Sequence, residues 1–205
     1  MCDLRHAVPT RAAVCLLMAE FEPLKPSNTG WLVADVLPDT FAFSWSRIHA
    51  DPALLALLAD PQWQPYVVFP GEFAAPERVV TALPAADPRR PLFVLLDGTW
   101  SEASKIFRKS PYLDGLPVLS LRPGEPSRYR LRRSIHAHHF CTSEVAALCL
   151  ALAGDTLAAN TLDAYLDVFS HRYLRARQSV LSDPADAAHQ RLRAMLVAPP
   201  LEAIP

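Results

Sequence analysis

The chain has 205 residues, 51% hydrophobic and 20% charged, and a net charge of -1. That length supports one full core and that balance excludes a disordered chain. The near-zero charge excludes a protein that is basic overall and holds nucleic acid by bulk attraction, while leaving a local basic face open.

Residues 1–12 are polar and carry no pattern. Ala13-Val14-Cys15-Leu16-Leu17-Met18 reads as a first buried strand. Residues 20–26 form a loop with two prolines, and Ser27-Asn28-Thr29-Gly30 precedes a helix over 31–37, capped by Ser27 or Asn28 and stopped by Pro38. The alternating, aromatic-rich stretch 40–45 reads as a second strand. Residues 52–59 read as a short helix with an early proline, 66–71 as a third strand ending in a turn, and 78–81 as a brief fourth. The apolar run 92–96 reads as a buried central strand that ends at Asp97 and Gly98.

A helix over 99–109 follows, with Ala103, Ile106 and Phe107 on one face and Lys105, Arg108 and Lys109 on the other. Residues 117–121 read as a further strand and 122–134 as a polar, basic loop. The helix over 142–153 is apolar almost all round, which predicts burial. Helices over 161–177, with a basic end, and 183–196, weaker and more exposed, precede a loose tail. Strands alternate with helices up to residue 121, and helices finish the chain. That order predicts an α/β fold with a mostly parallel sheet, one domain over 13–198, a short leading segment 1–12 and a tail 199–205.

Twenty prolines, about twice the usual share, imply many connections. No segment has the apolar length of a membrane span and no signal-peptide pattern opens the chain, so the expectation is a cytoplasmic protein without membrane contact. Cys2, Cys15, Cys141 and Cys149 form no C-x-x-C pair and are expected as reduced thiols, two or three of them buried.

The candidate chemistry starts at Asp97-Gly98-Thr99-Trp100. A strand that enters a helix through an acidic, glycine-bearing turn is the ligand-binding geometry of α/β sheets. The competing reading is a helix-start turn in which Asp97 or Thr99 is the cap. Asn28-Thr29-Gly30 reads either as a donor set for a polar ligand at a helix N-terminus or as a cap and turn. Cys141-Thr142-Ser143-Glu144 opens a helix, where Glu144 stabilises the dipole or the free N–H groups meet a ligand. His136, His138, His139 and Cys141 are zinc-type ligands, but their spacing matches no common site. No metal is expected, and the imidazoles read as surface groups near a nucleic-acid face. Residues 105–133 hold Lys105, Arg108, Lys109, Arg122, Arg128, Arg130, Arg132 and Arg133 against only Asp114 and Glu125, a candidate phosphate-binding face. Tyr129, between two of these arginines, either stacks on a base or fills a gap. No Ser-His-Asp order, P-loop or G-x-G-x-x-G is present.

Six stretches in order resemble the DTW-domain family: Lys25-Pro26-Ser27-Asn28-Thr29-Gly30, Val67-Val68-Phe69-Pro70, Leu96-Asp97-Gly98-Thr99-Trp100, Phe107-Arg108-Lys109-Ser110-Pro111-Tyr112-Leu113, Tyr129-Arg130-Leu131-Arg132 and Cys141-Thr142-Ser143-Glu144-Val145. The nearest resemblance is to its bacterial tRNA-uridine aminocarboxypropyltransferase branch. It implies a SPOUT-like fold with a knot in the C-terminal half, S-adenosylmethionine as donor, and transfer of the 3-amino-3-carboxypropyl group to N3 of a tRNA uridine. In that reading Asp97 is a general base strengthened by partial desolvation, or else steadies the sulfonium charge. Trp100 walls the donor pocket with Gly98 and Thr99 beside it, and Asn28, Thr29 and Gly30 hold the donor or the incoming base. The loops at Phe69, Pro70 and Leu119, and at Cys141, Thr142 and Glu144, frame the adenosine. Lys105, Arg108, Lys109, Arg128, Arg130 and Arg132 hold tRNA phosphates. Relatives usually carry His where Ala19 stands and Arg where Trp31 stands, and of their N-terminal cysteine cluster only Cys2 remains. Two alternatives follow: a SPOUT-type RNA methyltransferase, and a non-catalytic RNA-binding relative.

Overall fold

The computed structural model describes residues 4–85, 87–122, 127, 131, 140–181, 183 and 185–197. Its centre is a pair of adjacent parallel strands, β1 (Ala13–Met18) and β5 (Arg90–Asp97). Both read as unbroken apolar runs because both of their faces are covered. β2 (Thr40–Ser44), β3 (Trp63–Val68), β4 (Val79–Val80) and β6 (Val118–Leu119) complete a six-stranded sheet in the order β2-β1-β5-β3-β6-β4. Every neighbouring pair is parallel, so the expected α/β class holds, with a sheet that is parallel throughout.

Side chains alternate across this sheet. Val14, Leu16, Met18, Phe93 and Leu95 face a core built with α1 (Gly30–Val36), α4 (Thr142–Leu152), α5 (Thr156–Arg177) and α6 (Ala187–Val197). Ala13, Cys15, Leu17, Leu92 and Val94 face a second core with α2 (Pro52–Ala59) and α3 (Trp100–Arg108). β1 leaves through α1 towards β2 on one side. β5 leaves through α3, on the opposite face, towards β6 on the other side. The two connections diverge, which makes the carboxyl ends of β1 and β5 the switch point, the place where parallel sheets bind ligands.

Several boundaries differ from the sequence reading. β3 begins at Trp63 and runs through Pro65, where β5 is its partner and β6 has not yet joined at Val67, a place that tolerates a missing N–H. α5 begins five residues before the expected start because Ala158 and Ala159 are buried in the core. Asp155, just ahead of it, accepts the N–H groups of Arg11 and Ala12 at 2.9 Å each. Residues 4–12, patternless in sequence, bury Leu4, Val8 and Ala12, and the Val8 N–H donates to the Val36 carbonyl at 2.8 Å. α4 is buried or half-buried from Thr142 to Leu150, as expected, and exposed only at its C-terminal end, at Ala151 and Leu152. α6 is tied to α5 by Arg191, which bonds Asp163 and Asp167.

Cys15, Cys141 and Cys149 are free thiols, the first and last buried. Among the described residues no helix is long and apolar enough to cross a membrane. Most of residues 123–139, which connect β6 back to α4, lie outside the described residues, and so does the threading implied there.

Candidate functional site

Three loops meet at the switch point: the one after β1, the one after β5, and the start of α4. Asp97 ends β5, and its carbonyl accepts the Ala19 N–H at 2.8 Å, which stitches the first two loops together. Its side chain is 2% exposed. Oδ2 accepts Asn28 Nδ2–H at 2.8 Å and Oδ1 accepts the Thr142 hydroxyl in a very short bond. A buried carboxylate is tolerated only with such donors. Gly30 completes the cradle. A Cβ there would lie 2.7 Å from Asp97 Oδ2 and 3.2 Å from Asn28 Oδ1, so the backbone approaches the carboxylate as closely as glycine alone permits.

The cap of α3 is Thr99, not Asp97. The Glu102 N–H donates to Thr99 Oγ1 at 3.3 Å, while Glu102 Oε2 accepts the Thr99 N–H and hydroxyl at 2.7 Å each, a reciprocal capping box. Burial opposes ionisation of Glu102, but the two Thr99 bonds and the nearby Lys25 charge outweigh it and hold the carboxyl below the ordinary glutamate range. Asp97 is therefore not spent on starting the helix.

The cap reading of Asn28 holds, and its amide also binds two acids of the same chain. Its Oδ1 accepts the Trp31 N–H at 3.2 Å, a cap for α1, and its Nδ2 bridges Asp97 and Glu22 Oε1, the latter at 3.2 Å. Glu22 is fully buried and was not legible as a site residue, since an acid in a proline-rich loop looks solvated. Lys25 Nζ lies 2.5 Å from Glu22 and 3.7 Å from Glu102. One cation thus offsets a buried acid and links the loops that follow β1 and β5. Buried ions of this kind persist only when paired.

At the start of α4, Glu144 Oε2 accepts the Cys141 N–H at 2.9 Å and the Ser127 hydroxyl at 2.7 Å. The Ser143 N–H donates to Thr29 Oγ1 at 3.3 Å, which joins this helix to the loop after β1. Burial, and then the Glu144 carboxylate, push the Cys141 thiol up to about 12. It is a neutral thiol near pH 7 and not a nucleophile.

The aromatic wall stands beside the crevice. Phe69 lies parallel to Phe107 (4.5 Å, 15°) and to Trp100 (5.3 Å, 7°), and Phe73 meets Trp100 at 5.7 Å and 62°. Pro70 leads into the single turn Gly71–Phe73, whose Gly71 N–H donates to Ser120 Oγ at 3.0 Å. Leu119 is fully buried, and its carbonyl accepts the Phe69 N–H at 3.3 Å. Gly98 abuts Ala19: a Cβ at Gly98 would lie 3.2 Å from the Ala19 Cβ. Ala19 therefore lies inside the site. Trp31 is 43% exposed, with Nε1 donating to the Pro23 carbonyl at 3.1 Å, and lies on the rim.

Thus Asn28, Thr29, Gly30, Asp97, Gly98, Thr99, Thr142 and Glu144 converge, whereas Phe69, Pro70 and Leu119 belong to the β3–β6 side of the same edge. Lys105 and Arg108 on α3, and Lys109 just past its C-terminus, are exposed, with Lys105 Nζ 5.6 Å from the centre of the Trp45 ring. Arg128, Arg130 and Arg132, together with Tyr129, Arg133 and the three histidines, lie outside the described residues. Among the described residues no group of side chains forms a metal site. No solved structure matches the chain. A family model for the DTW domain matches residues 1–174, which take in β1 to β6, all three converging loops and nearly all of α5; this chain belongs to the DTW domain family.

Proposed function

We propose that this protein transfers the 3-amino-3-carboxypropyl group of S-adenosylmethionine to N3 of a uridine in tRNA. The DTW domain family is associated with tRNA-modifying activity. The observation that carries the finer reading is the Asp97 carboxylate, buried at the switch point, held by Asn28 and Thr142 and packed against Gly30. A fixed anion in a desolvated crevice suits two needs of this reaction, a counter-charge for a sulfonium and an acceptor for the N3 proton.

The donor supplies an electrophilic carbon on a positively charged sulfur. The protein's share is orientation. Asn28 fixes one Asp97 oxygen, Thr142 the other, and Gly30 leaves the backbone close. The nucleophile N3 attacks the propyl carbon, the carbon–sulfur bond breaks, methylthioadenosine leaves, and the N3 proton passes to Asp97. Which carbon faces the nitrogen decides the product. The donor groups present fit the substrate: a buried anion for the sulfonium, backbone groups at Gly98 for a polar edge, and an aromatic wall for a purine.

Incubation with tRNA and the donor tests this directly, with methylthioadenosine as the expected by-product. S-adenosylhomocysteine in its place would establish methyl transfer. tRNA binding with neither by-product, undiminished in Asp97→Ala, would establish a non-catalytic binder.

The exposed cations on and just past α3 are assigned to phosphate. Reversing two of them, Arg108→Glu with Lys109→Glu, is expected to weaken tRNA binding and to flatten the slope of log affinity against log salt by about 2, roughly one per lost contact. Donor binding should be unchanged. An unchanged salt slope would remove this face from the tRNA interface.

A further inference from the structure

We propose that Lys25 and Glu102 form a subsite for the α-amino-acid end of the donor, with its carboxylate on Lys25 and its ammonium on Glu102; this rests on the donor reading above. The pair is joined to Asp97 from two directions. Lys25 pairs with Glu22, and Glu22 shares the Asn28 amide with Asp97. Glu102 lies against the backbone that follows Asp97: a Cβ built on Gly98 would be 3.0 Å from Glu102 Cβ and 3.3 Å from Glu102 Oε2.

Around Asp97, Glu22, Asn28, Thr29 and Glu144 are buried. Lys25 and Glu102 are not, with side chains 33% and 37% exposed. Their charged atoms stand 3.7 Å apart, beyond hydrogen-bond length, so the pair is open. Among the described residues Lys25 Nζ donates one hydrogen bond, to Glu22, of the three an ammonium can make. Glu102 meets Thr99 and Lys25 through Oε2 alone, and its Oε1 accepts nothing. Unused N–H groups and an unused carboxylate oxygen thus stand side by side at solvent. The Thr99 bonds and the Lys25 charge hold the Glu102 carboxyl below the ordinary glutamate range, so it is an anion near pH 7. An exposed pair of this kind adds little to stability. Its spare capacity matches a zwitterion laid across it, carboxylate on cation and ammonium on anion. The three-carbon arm between the donor's sulfur and these two charges is the group the reaction moves. Holding its far end, with Asp97 at the sulfonium, fixes which carbon meets the nucleophile.

The test is calorimetric binding to the full chain, with melting temperature followed for every variant. Four probes separate the charges: S-adenosylmethionine; its decarboxylated analogue, which keeps the ammonium; methylthioadenosine, which lacks the arm; and free L-methionine, which has both charges and no adenosine. The wild type is expected to bind S-adenosylmethionine at least about ten-fold more tightly than the decarboxylated analogue, the yield of one charge-assisted contact. Lys25→Met, made together with Glu22→Gln so that no buried acid is left without its cation, should erase that preference and leave the analogue and methylthioadenosine bound as before. Glu22→Gln alone should retain it. Glu102→Gln keeps the capping box, in which glutamine also serves, but puts an N–H where the ammonium needs an acceptor. It should weaken S-adenosylmethionine and the analogue alike, by about ten-fold, and spare methylthioadenosine. No preference for the carboxylate in the wild type, survival of that preference without Lys25, loss of methylthioadenosine binding in either variant, or L-methionine bound as tightly as the donor would each overturn the subsite. Failure of the wild type to bind the donor would remove the subsite and the donor reading together. The transfer reading fails separately, if the binding pattern stands but incubation with tRNA releases no methylthioadenosine.

Discussion

Asp97→Asn is expected to lower turnover by at least about 100-fold, the low end of what a positioned acid–base group contributes, with tRNA binding retained and donor binding weakened through loss of the sulfonium's counter-charge. The substitution preserves shape. Its carbonyl oxygen can accept from Asn28 as Oδ2 does now, and its amide can donate to the Thr142 hydroxyl, which reverses its role by rotating. What it cannot do is take a proton or carry the negative charge. Single-turnover release of methylthioadenosine, measured beside calorimetric binding of donor and tRNA, separates the two. Wild-type turnover in Asp97→Asn would end any role for this carboxylate in the chemistry.

Gly30→Ala should be nearly as damaging, for a steric reason. The added methyl would stand 2.7 Å from Asp97 Oδ2, far inside ordinary contact. The carboxylate is held on its other side by Thr142 and belongs to a central strand, so it can escape only by giving up a hydrogen bond. Overpacking of this kind costs about 1–3 kcal/mol, or a few degrees in Tm for a chain of this length. Because a displacement of about 1 Å at a reacting group costs about 100-fold in rate, activity should fall further than stability. Gly115→Ala is the control: nothing lies within 4 Å of a Cβ built there, and both rate and Tm should stay at wild-type values. Equal behaviour of the two variants would show that Gly30 does not constrain Asp97.

The elements that could be read in advance share a local cause. β1 and β5 announce themselves as apolar runs because they are covered on both faces, and α3 because Ala103, Ile106 and Phe107 recur at helical spacing. The T-x-x-E pattern of the capping box, Thr99 and Glu102, is also visible in the chain. The choice between Thr99 and Asp97 as cap is not, because it depends on where the Asp97 side chain finds other donors. Glu22 carries no signal of its burial in the sequence. Its neighbours in sequence say surface loop, and its burial comes from packing under Asn28 and Lys25. α5 starts earlier than its local pattern predicts for a related reason, since Ala158 and Ala159 gain from burial more than local propensity decides.

By itself the sequence determined which segments become covered strands, which become amphipathic helices, and that an acid stands where the central strand ends. These are consequences of side-chain periodicity and of residues a few positions apart. Only the tertiary structure decided that Asn28, 69 positions from Asp97, and Thr142, 45 positions away, would grip one carboxylate. Strand order and the opposed exits of β1 and β5 bring those loops together, and strand order is set by packing across the whole sheet, which no short window of residues records.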